Sequence, residues 1–362
     1  MFKYNILDSL FKNINNPVNT VHKLLFILFL LKIQSKLKWT IAPLTIIIFC
    51  SSCGYFQSSK INSCYKKYFF HDATEPSNGS IKITFLGTSA LLIDDGITQI
   101  LTDPFFSRPC MFPVLFSKIS TNKTVVDSIL TKYKMDRLKG ILVSHSHYDH
   151  AFDIGYIAEK LQVPVYGSAS TLNIAKAAAI CTSKLIPFSS CQEVELGKFR
   201  ISIIPSKHSP PSWYNNDIGQ TIDCVLKQPA RAKKYKEGGS FDLLIKHNDH
   251  SIYLKQTANY LIGGLDCIKA DVLLIGIGGI GNESKKFKKT YYNETVGKLN
   301  PNLIIPMHWD NFFKPLSENL VLMPKIIDNT SKTLKFITKK TKKDKKELKL
   351  LQGGKSIILF KD

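Results

Sequence analysis

The chain has 362 residues, enough for one large domain or two modest ones with a substantial core. Apolar residues make up 44% and charged residues 21%, a composition that excludes an intrinsically disordered chain. Lysine and arginine outnumber aspartate and glutamate by 49 to 28, a formal +21 that favours anionic surroundings such as lipid headgroups, phosphorylated substrates or nucleic acid; a lysine-biased composition gives the same excess, so charge alone selects none of them.

Two apolar stretches lie near the start, residues 24–31 and, after the basic segment KIQSKLK, residues 39–50. Each is shorter than the roughly 20 apolar residues that cross a bilayer as a helix. The second reads as a secretory signal, with Lys32, Lys36 and Lys38 as its basic region, an apolar run, then small residues. Ser51-Ser52-Cys53-Gly54 is similar to the end of a bacterial lipoprotein signal, although Cys50 stands where leucine is usual. Residues 1–53 are therefore expected to be a lipoprotein signal or an uncleaved membrane anchor, with a buried amphipathic helix as the alternative. Either of the first two readings puts the folded domain outside the cytosol and associated with the membrane through the N-terminus. Residues 54–80 read as a polar tether and residues 81–362 as the folded domain. The eight cysteines make no metal framework: only Cys50 and Cys53 have C-x-x-C spacing, and they close an apolar run. Cys181 and Cys191 are near enough in sequence to pair outside the cytosol.

From residue 81 the chain turns periodic. Residues 81–85, 90–92 and 98–101 read as short strands of a meander, separated by Gly87 and the Asp94-Asp95-Gly96 turn. Residues 140–143 form an apolar strand ending at Ser144-His145, followed by helical spacing over 153–161, a strand at 163–166 and a helix at 171–180. Residues 199–204 alternate as a strand and run into Ser206-Lys207-His208. Residues 241–246 and 251–254 flank His247-Asn248-Asp249-His250 as a hairpin, whose two histidines are expected to be exposed and not ligands. Residues 272–277 and 303–305 are apolar strands, the second leading into Pro306-Met307-His308. Lysine-rich residues 339–349 read as a solvated face, with anionic lipid contact as the sharper alternative, before a last strand at 356–360. The pattern predicts a layered α/β fold, two mixed sheets packed together with helices outside.

The densest chemistry is His145-Ser146-His147-Tyr148-Asp149-His150, directly after an apolar strand and before a helix. Two histidines two apart in extended chain point to the same side, so both can reach one ion. Asp149 and His150 lie where the chain turns into the helix and can project toward a neighbouring ion. Imidazole with carboxylate suits Zn2+, with Mn2+ or Fe2+ as alternatives.

In this context H-x-H-x-D-H resembles the signature of the metallo-β-lactamase superfamily, over roughly residues 81–360. The stretches FLGTSALLID, LTDPFFSRP, SHSHYDH, YGSAS and PMHWDNFF resemble the branch holding N-acylethanolamine phospholipase-D-like and UlaG-like proteins. The resemblance implies a four-layer αββα sandwich with metal at one edge. It also implies that His145, His147 and His208 hold a first metal and Asp149, His150 and His308 a second. Asp103 matches an aspartate that supports the metal loop by hydrogen bonds. One departure stands out: after the strand at 251–254 the family usually carries a bridging aspartate, and this chain has Gln256. A neutral amide cannot bridge two cations as a carboxylate does, so one or two metals are expected, the second bound weakly.

The expected activity is hydrolysis by a zinc-bound hydroxide, with Asp149 orienting the attacking water and moving its proton. Trp213, Tyr214 and Trp309 are candidates for the pocket wall. The expected substrate is a small molecule or lipid carrying an ester or phosphodiester of cell-envelope origin. The alternatives are a nucleic-acid phosphodiesterase, disfavoured by the export signal, and a non-catalytic metal-binding protein of the same fold.

Overall fold

The computed structural model describes residues 58–190, 192–212 and 216–361. The expected signal or anchor at 1–53, Cys191, Trp213 and Tyr214 lie outside the described residues. Among the described residues no helix is long and apolar enough to cross a membrane.

In chain order the strands and helices are β1 (Ile81–Phe85), β2 (Leu91–Asp94), β3 (Gln99–Thr102), α1 (Met111–Phe116), β4 (Lys118–Ile119), α2 (Lys123–Lys132) and β5 (Leu138–Leu142). Next come α3 (Tyr148–Ala151), α4 (Ile154–Leu161), β6 (Val165–Gly167), α5 (Ala169–Ala175), β7 (Leu185–Pro187), β8 (Glu193–Leu196), β9 (Phe199–Pro205) and β10 (Ala230–Arg231). The chain continues through β11 (Phe241–His247), β12 (His250–Lys255), β13 (Val272–Gly276), α6 (Lys285–Tyr292), β14 (Leu303–Met307), α7 (Thr330–Lys343), β15 (Glu347–Leu348) and β16 (Ser356–Leu359).

Two seven-stranded sheets result, ordered β16-β1-β2-β3-β5-β6-β7 and β15-β14-β13-β12-β11-β9-β8, with β4 and β10 pairing separately. Each sheet is half antiparallel and half parallel. In the first, the meander β1–β3 hands over to parallel β3, β5, β6 and β7; in the second, antiparallel β8, β9, β11 and β12 hand over to parallel β13, β14 and β15. Strands buried on both faces read as continuous apolar runs. Along β2, Leu91 and Ile93 join the core between the sheets, while Leu92 faces the cluster under the helices with Val126, Ile154, Ile157 and Leu172. On the other side Tyr291, Leu334 and Ile337 of α6 and α7 close the second sheet. The layers run helix, sheet, sheet, helix.

Several expectations change. Within the segment read as a tether, Tyr65 is buried, and Ile61, Tyr68, Phe69 and Phe70 pack on the core. Backbone bridges join Ser59 to Leu322 and Phe69 to Leu350. The aromatic residues of this stretch give it apolar surface to bury, which outweighs its polar composition. His247 was expected to be exposed, but β11 extends through it and the hairpin turn shrinks to Asn248-Asp249. The buried ring bonds Asp95 Oδ2 through Nε2 at 3.1 Å and packs on Phe199, while His250 stacks on Phe360. Among the described residues neither histidine belongs to a metal-competent cluster. The lysine-rich run forms the last turn of α7 and then β15, where Thr341 and Leu348 are buried between its exposed lysines. Cys181 is an exposed free thiol.

Candidate metal centre

The loops that carry the candidate ligands all leave the C-terminal ends of strands. β3 delivers Asp103, β5 delivers 145–150, β9 delivers His208, β12 delivers Gln256 and β14 delivers His308. Because β3 and β5 are parallel, and so are β12, β13 and β14, these ends gather on one edge of each sheet. β9 lies two antiparallel steps from β12 and so runs with it.

Two clusters form there. His145, His147 and His208 make one, and Asp149, His150 and His308 the other, each with ligand-capable atoms within 4.8 Å of one another. In the first, His147 Nδ1 and His208 Nε2 stand 3.2 Å apart. In the second, Asp149 Oδ2 lies 3.6 Å from His150 Nε2 and 3.4 Å from His308 Nε2.

Hydrogen-bond partners outside the clusters assign the imidazole tautomers. Ser144 Oγ donates to Asp103 at 2.6 Å, so it accepts from His145 Nδ1 at 3.0 Å. His147 Nε2 donates to Asp217 at 2.9 Å, His208 Nδ1 to the Ser209 carbonyl at 3.0 Å and His150 Nδ1 to Asp103 at 2.7 Å. Each outward nitrogen keeps its proton and each inward nitrogen presents a lone pair. His145 Nε2 is buried with no protein partner. A buried acceptor without a donor costs about 1–3 kcal/mol, and inward lone pairs converging on one point repel. A divalent cation satisfies all of them, so these residues fit a metal.

The protonation states agree. Burial, reinforced by His150 and His208, pushes His145 well below its usual value, and burial with His147 and His150 brings His208 to about 3. Both rings are therefore neutral, as a metal ligand must be. Burial would raise the Asp149 carboxyl, but its neighbours His150 and His308 outweigh it and hold it well below the usual range. Burial would lower His308, but its contact with Asp149 raises it instead.

Asp103 ties the loop together by hydrogen bonds. It accepts from Ser144 N at 2.7 Å as well as from Ser144 Oγ and His150 Nδ1. Gln256 is fully buried, and its amide, turned so that both ends are satisfied, donates to the Asp103 carboxylate and to Ser144 Oγ at 3.3 Å. It buttresses the support of the ligands. Trp309, expected on the pocket wall, is fully buried between Phe85 and Phe69. The left-handed backbone of His308 (φ 56°) turns the chain at the end of β14, and the two neighbours part, one toward the cluster and one into the core.

Other supports were not singled out in the sequence. Asp217 orients His147 from a loop with no recognisable pattern. Alternate residues from the end of β12 onward clamp the His208 strap: Lys255 Nζ donates to Ser206 Oγ at 2.6 Å, Thr257 Oγ1 to the Lys207 carbonyl at 2.8 Å and Asn259 Nδ2 to the His208 carbonyl at 2.6 Å. Arg108 donates through Nη2 to Asp310 and to the Asn311 carbonyl at 3.0 Å, and through Nε to the Lys314 carbonyl at 2.7 Å. Asp310 accepts from Thr88 N at 2.8 Å, and His308 N donates to the Thr88 carbonyl at 2.6 Å. A Cβ on Gly87 would stand 2.1 Å from Arg108 Nη1, so glycine is required there. Arg108 and Asp310 lie inside LTDPFFSRP and PMHWDNFF; the signal was present, but an arginine and an aspartate 202 apart in sequence show no pairing.

A profile of the beta-lactamase superfamily domain matches residues 82–308. A UPF0173 metal-dependent hydrolase of Carboxydothermus hydrogenoformans is 25% identical over 232 residues, 64% of this chain and 86% of the relative. One from Pyrococcus furiosus is 24% identical over 263 residues, 70% of this chain and 95% of the relative. Among solved structures, Igni18, a metallo hydrolase of Ignicoccus hospitalis, superposes with a TM-score of 0.49 at 15% identity, covering 78% of this chain and 100% of that one. The metallo-beta-lactamase fold protein YhfI of Bacillus subtilis gives 0.47 at 15%, covering 77% and 100%.

Proposed function

The chain belongs to the beta-lactamase superfamily, and on that premise we propose that it is a metal-dependent hydrolase, with zinc as its metal and an ester or phosphodiester of a lipid or cell-envelope compound as its substrate. The observation that carries the metal reading is the convergence of inward lone pairs on His145, His147 and His208, with His145 Nε2 buried and unpartnered. Three imidazoles converging on one point favour zinc, with manganese or iron as the alternatives. The substrate class is supported by the +21 charge and the basic-then-apolar N-terminus.

When bound, a divalent metal lowers the pKa of water toward about 7 and polarises the oxygen of the scissile bond. The chain's own residues do the rest. The histidine triad, its tautomers fixed by Ser144, Asp217 and Ser209, keeps its lone pairs aimed inward. Asp149, held ionised beside His150 and His308, takes up the proton of the attacking water and returns it to the leaving group. His150 is fixed by Asp103, so the carboxylate keeps its place through the proton transfer.

The test is elemental analysis of the purified full chain together with hydrolysis of a panel of lipid esters, phosphodiesters and lactones. Bound zinc with turnover on a lipid ester or phosphodiester is expected, and His145→Ala/His147→Ala removes both. Full metal occupancy in that double variant would overturn the ligand assignment. A zinc-loaded protein inert on every substrate would favour the non-catalytic reading. We further propose that residues 1–53 hold the domain at the membrane outside the cytosol, through Cys53 if the segment is a lipoprotein signal. Cys53→Ser then abolishes lipid labelling; unchanged attachment favours an uncleaved anchor, and a soluble cytosolic protein overturns both.

A further inference from the structure

Among the described residues, the exposed large apolar side chains are Ile97, Phe112, Leu115, Phe116, Ile218, Val225, Leu261 and Ile262. Their placement is not scattered. Phe112, Leu115 and Phe116 follow the C-terminal end of β3, Ile218 and Val225 lie on the loop after β9, and Leu261 and Ile262 follow β12. All seven therefore lie on connections that leave the strand ends carrying the metal centre. Ile97 alone sits at the opposite end of β3, in the β2–β3 turn.

The most prominent group is α1, sequence MFPVLF, none of whose residues is buried. Its Phe112 and Phe116 rings touch each other, with centroids 5.0 Å apart, and are 67% and 62% exposed. No soluble helix benefits from holding two phenylalanines and a leucine in water. Beside it β4 and β10 pair Lys118 with Arg231, and the chain runs on through exposed Lys233 and Lys234 to Lys236. Across 109–123 and 225–236 the charged residues are Lys118, Lys123, Lys227, Arg231, Lys233, Lys234 and Lys236, with no acid. None of these bases has a salt-bridge partner among the described residues. The ribbon is joined to the metal loop itself: Ser146, between His145 and His147, donates through Oγ to the Lys236 carbonyl at 2.6 Å and through N to the Glu237 carbonyl at 3.0 Å.

We propose that this edge is a docking face for an anionic lipid bilayer surface. Phe112, Leu115 and Phe116 enter the headgroup–acyl boundary while Lys118, Arg231, Lys233 and Lys234 meet lipid phosphates. An apolar ridge flanked by bases is the pattern of an interfacial element: buried area and charge attraction add, each base contributing near the surface. The metal centre then opens toward the bilayer. The proposal rests on exposure, topology and charge, not on the hydrolytic reading, and it is separate from attachment through residues 1–53.

The experiment places the photo-crosslinker p-benzoylphenylalanine at position 112, 116 or 97 of the full chain. Each variant is mixed with vesicles of phosphatidylglycerol and phosphatidylcholine, or of phosphatidylcholine alone. Lipid adducts are expected at 112 and 116 on the anionic vesicles and not at 97, which is as exposed as 112. They are lost on phosphatidylcholine alone and in Lys118→Gln/Arg231→Gln/Lys233→Gln/Lys234→Gln. Equal labelling at 97 and 112, no lipid adduct at 112 and 116, or adducts only to a second copy of the chain would each overturn the proposal. Because the readout needs no turnover, its failure is distinguishable from failure of the hydrolase assay.

Discussion

Gln256 turns its amide nitrogen onto the carboxylate of Asp103, the same group that accepts from His150 Nδ1 at 2.7 Å. The position where the family usually carries a metal-bridging carboxylate thus holds a donor that satisfies the support behind the ligands. Only Asp149 supplies negative charge within the two clusters, and two cations sharing it would repel strongly in a partly buried site. About one tightly bound metal per chain is therefore expected, with a second only at high added metal. Titration followed by elemental analysis checks this, and two tight ions in the parent chain would refute it.

Gln256→Asp gives the complementary test. It removes the donor facing Asp103 and buries a second carboxylate near it. Without metal this costs about 1–3 kcal/mol, from the lost bond and the repulsion of like charges. With metal the new charge raises the stoichiometry toward two. Thermal melts with and without added zinc should show destabilisation in the chelated variant and a larger metal-induced gain than in the parent. Equal gains in both would mean the residue does not reach the metal region.

Asp103→Asn keeps the shape but offers His150 a weaker acceptor and can present an NH2 to Gln256. Outer carboxylates of this kind typically contribute about 10–100-fold to metal affinity. A loss of that size in a competitive chelator titration is expected, with the fold retained by circular dichroism. Unchanged affinity would reduce Asp103 to a loop anchor.

Much of this site was legible in the sequence because its strongest residues are local. His145, His147, Asp149 and His150 share one turn after one strand, and their period announces a common target. His208 and His308 each follow an apolar strand, which put them at strand ends, and Asp103 came with its motif. What could not be read depends on tertiary contact. Arg108 and Asp310 become a pair only when β3 and β14 bring their loops together, and Asp217 meets His147 across a long loop. Trp309 was misplaced because the sequence does not reveal the left-handed turn at His308 that separates two adjacent side chains. His247 was misplaced because the hairpin turn is two residues long, and its strand folds against the Asp95 turn. The aromatic content of residues 59–70 outweighed the polar composition that suggested a tether.

The buried histidines set a pH dependence for the metal-free protein. An unfolded histidine titrates near pH 6.5. In the fold His145 lies well below that value and His208 near 3, so below about pH 6.5 the unfolded state takes up protons that the fold refuses. Stability therefore falls as pH drops from 7 to 5. His308 acts in the opposite sense: its raised value favours the fold below pH 6.5, and that contribution is lost as pH rises through the folded value. Below about pH 6 His308 is protonated in both states and adds no slope, so the two lowered groups leave a net loss of roughly 2–3 kcal/mol per pH unit. Asp149 enters only near and below pH 4, where protonation removes the stabilisation its lowered value provides. Chelator-treated protein should melt at lower temperature at pH 5 than at pH 7; a flat or rising melting temperature would contradict these tautomers.

The Arg108–Asp310 pair makes the sharpest stability prediction. Both side chains are fully buried, and the guanidinium also serves the Asn311 and Lys314 carbonyls. Arg108→Met keeps apolar bulk but leaves the Asp310 carboxylate with one remaining donor, Thr88 N, the Asn311 carbonyl with only Lys314 N at 3.2 Å, and the Lys314 carbonyl without its donor. Breaking a buried pair from one side costs about 3–5 kcal/mol, most of it from the stranded charge. Lysine should not rescue it, because one ammonium cannot span the forked set of acceptors that Nε and Nη2 reach. Adding Asp310→Leu removes the stranded charge and should recover part of the loss, a coupling that a double-mutant cycle in urea measures directly. The same loop carries His308, so metal-dependent stabilisation should fall in Arg108→Met by more than the loss of fold stability alone explains. A single variant within about 1 kcal/mol of the parent, or a double variant no better than the single, would show that the pair does not hold this loop.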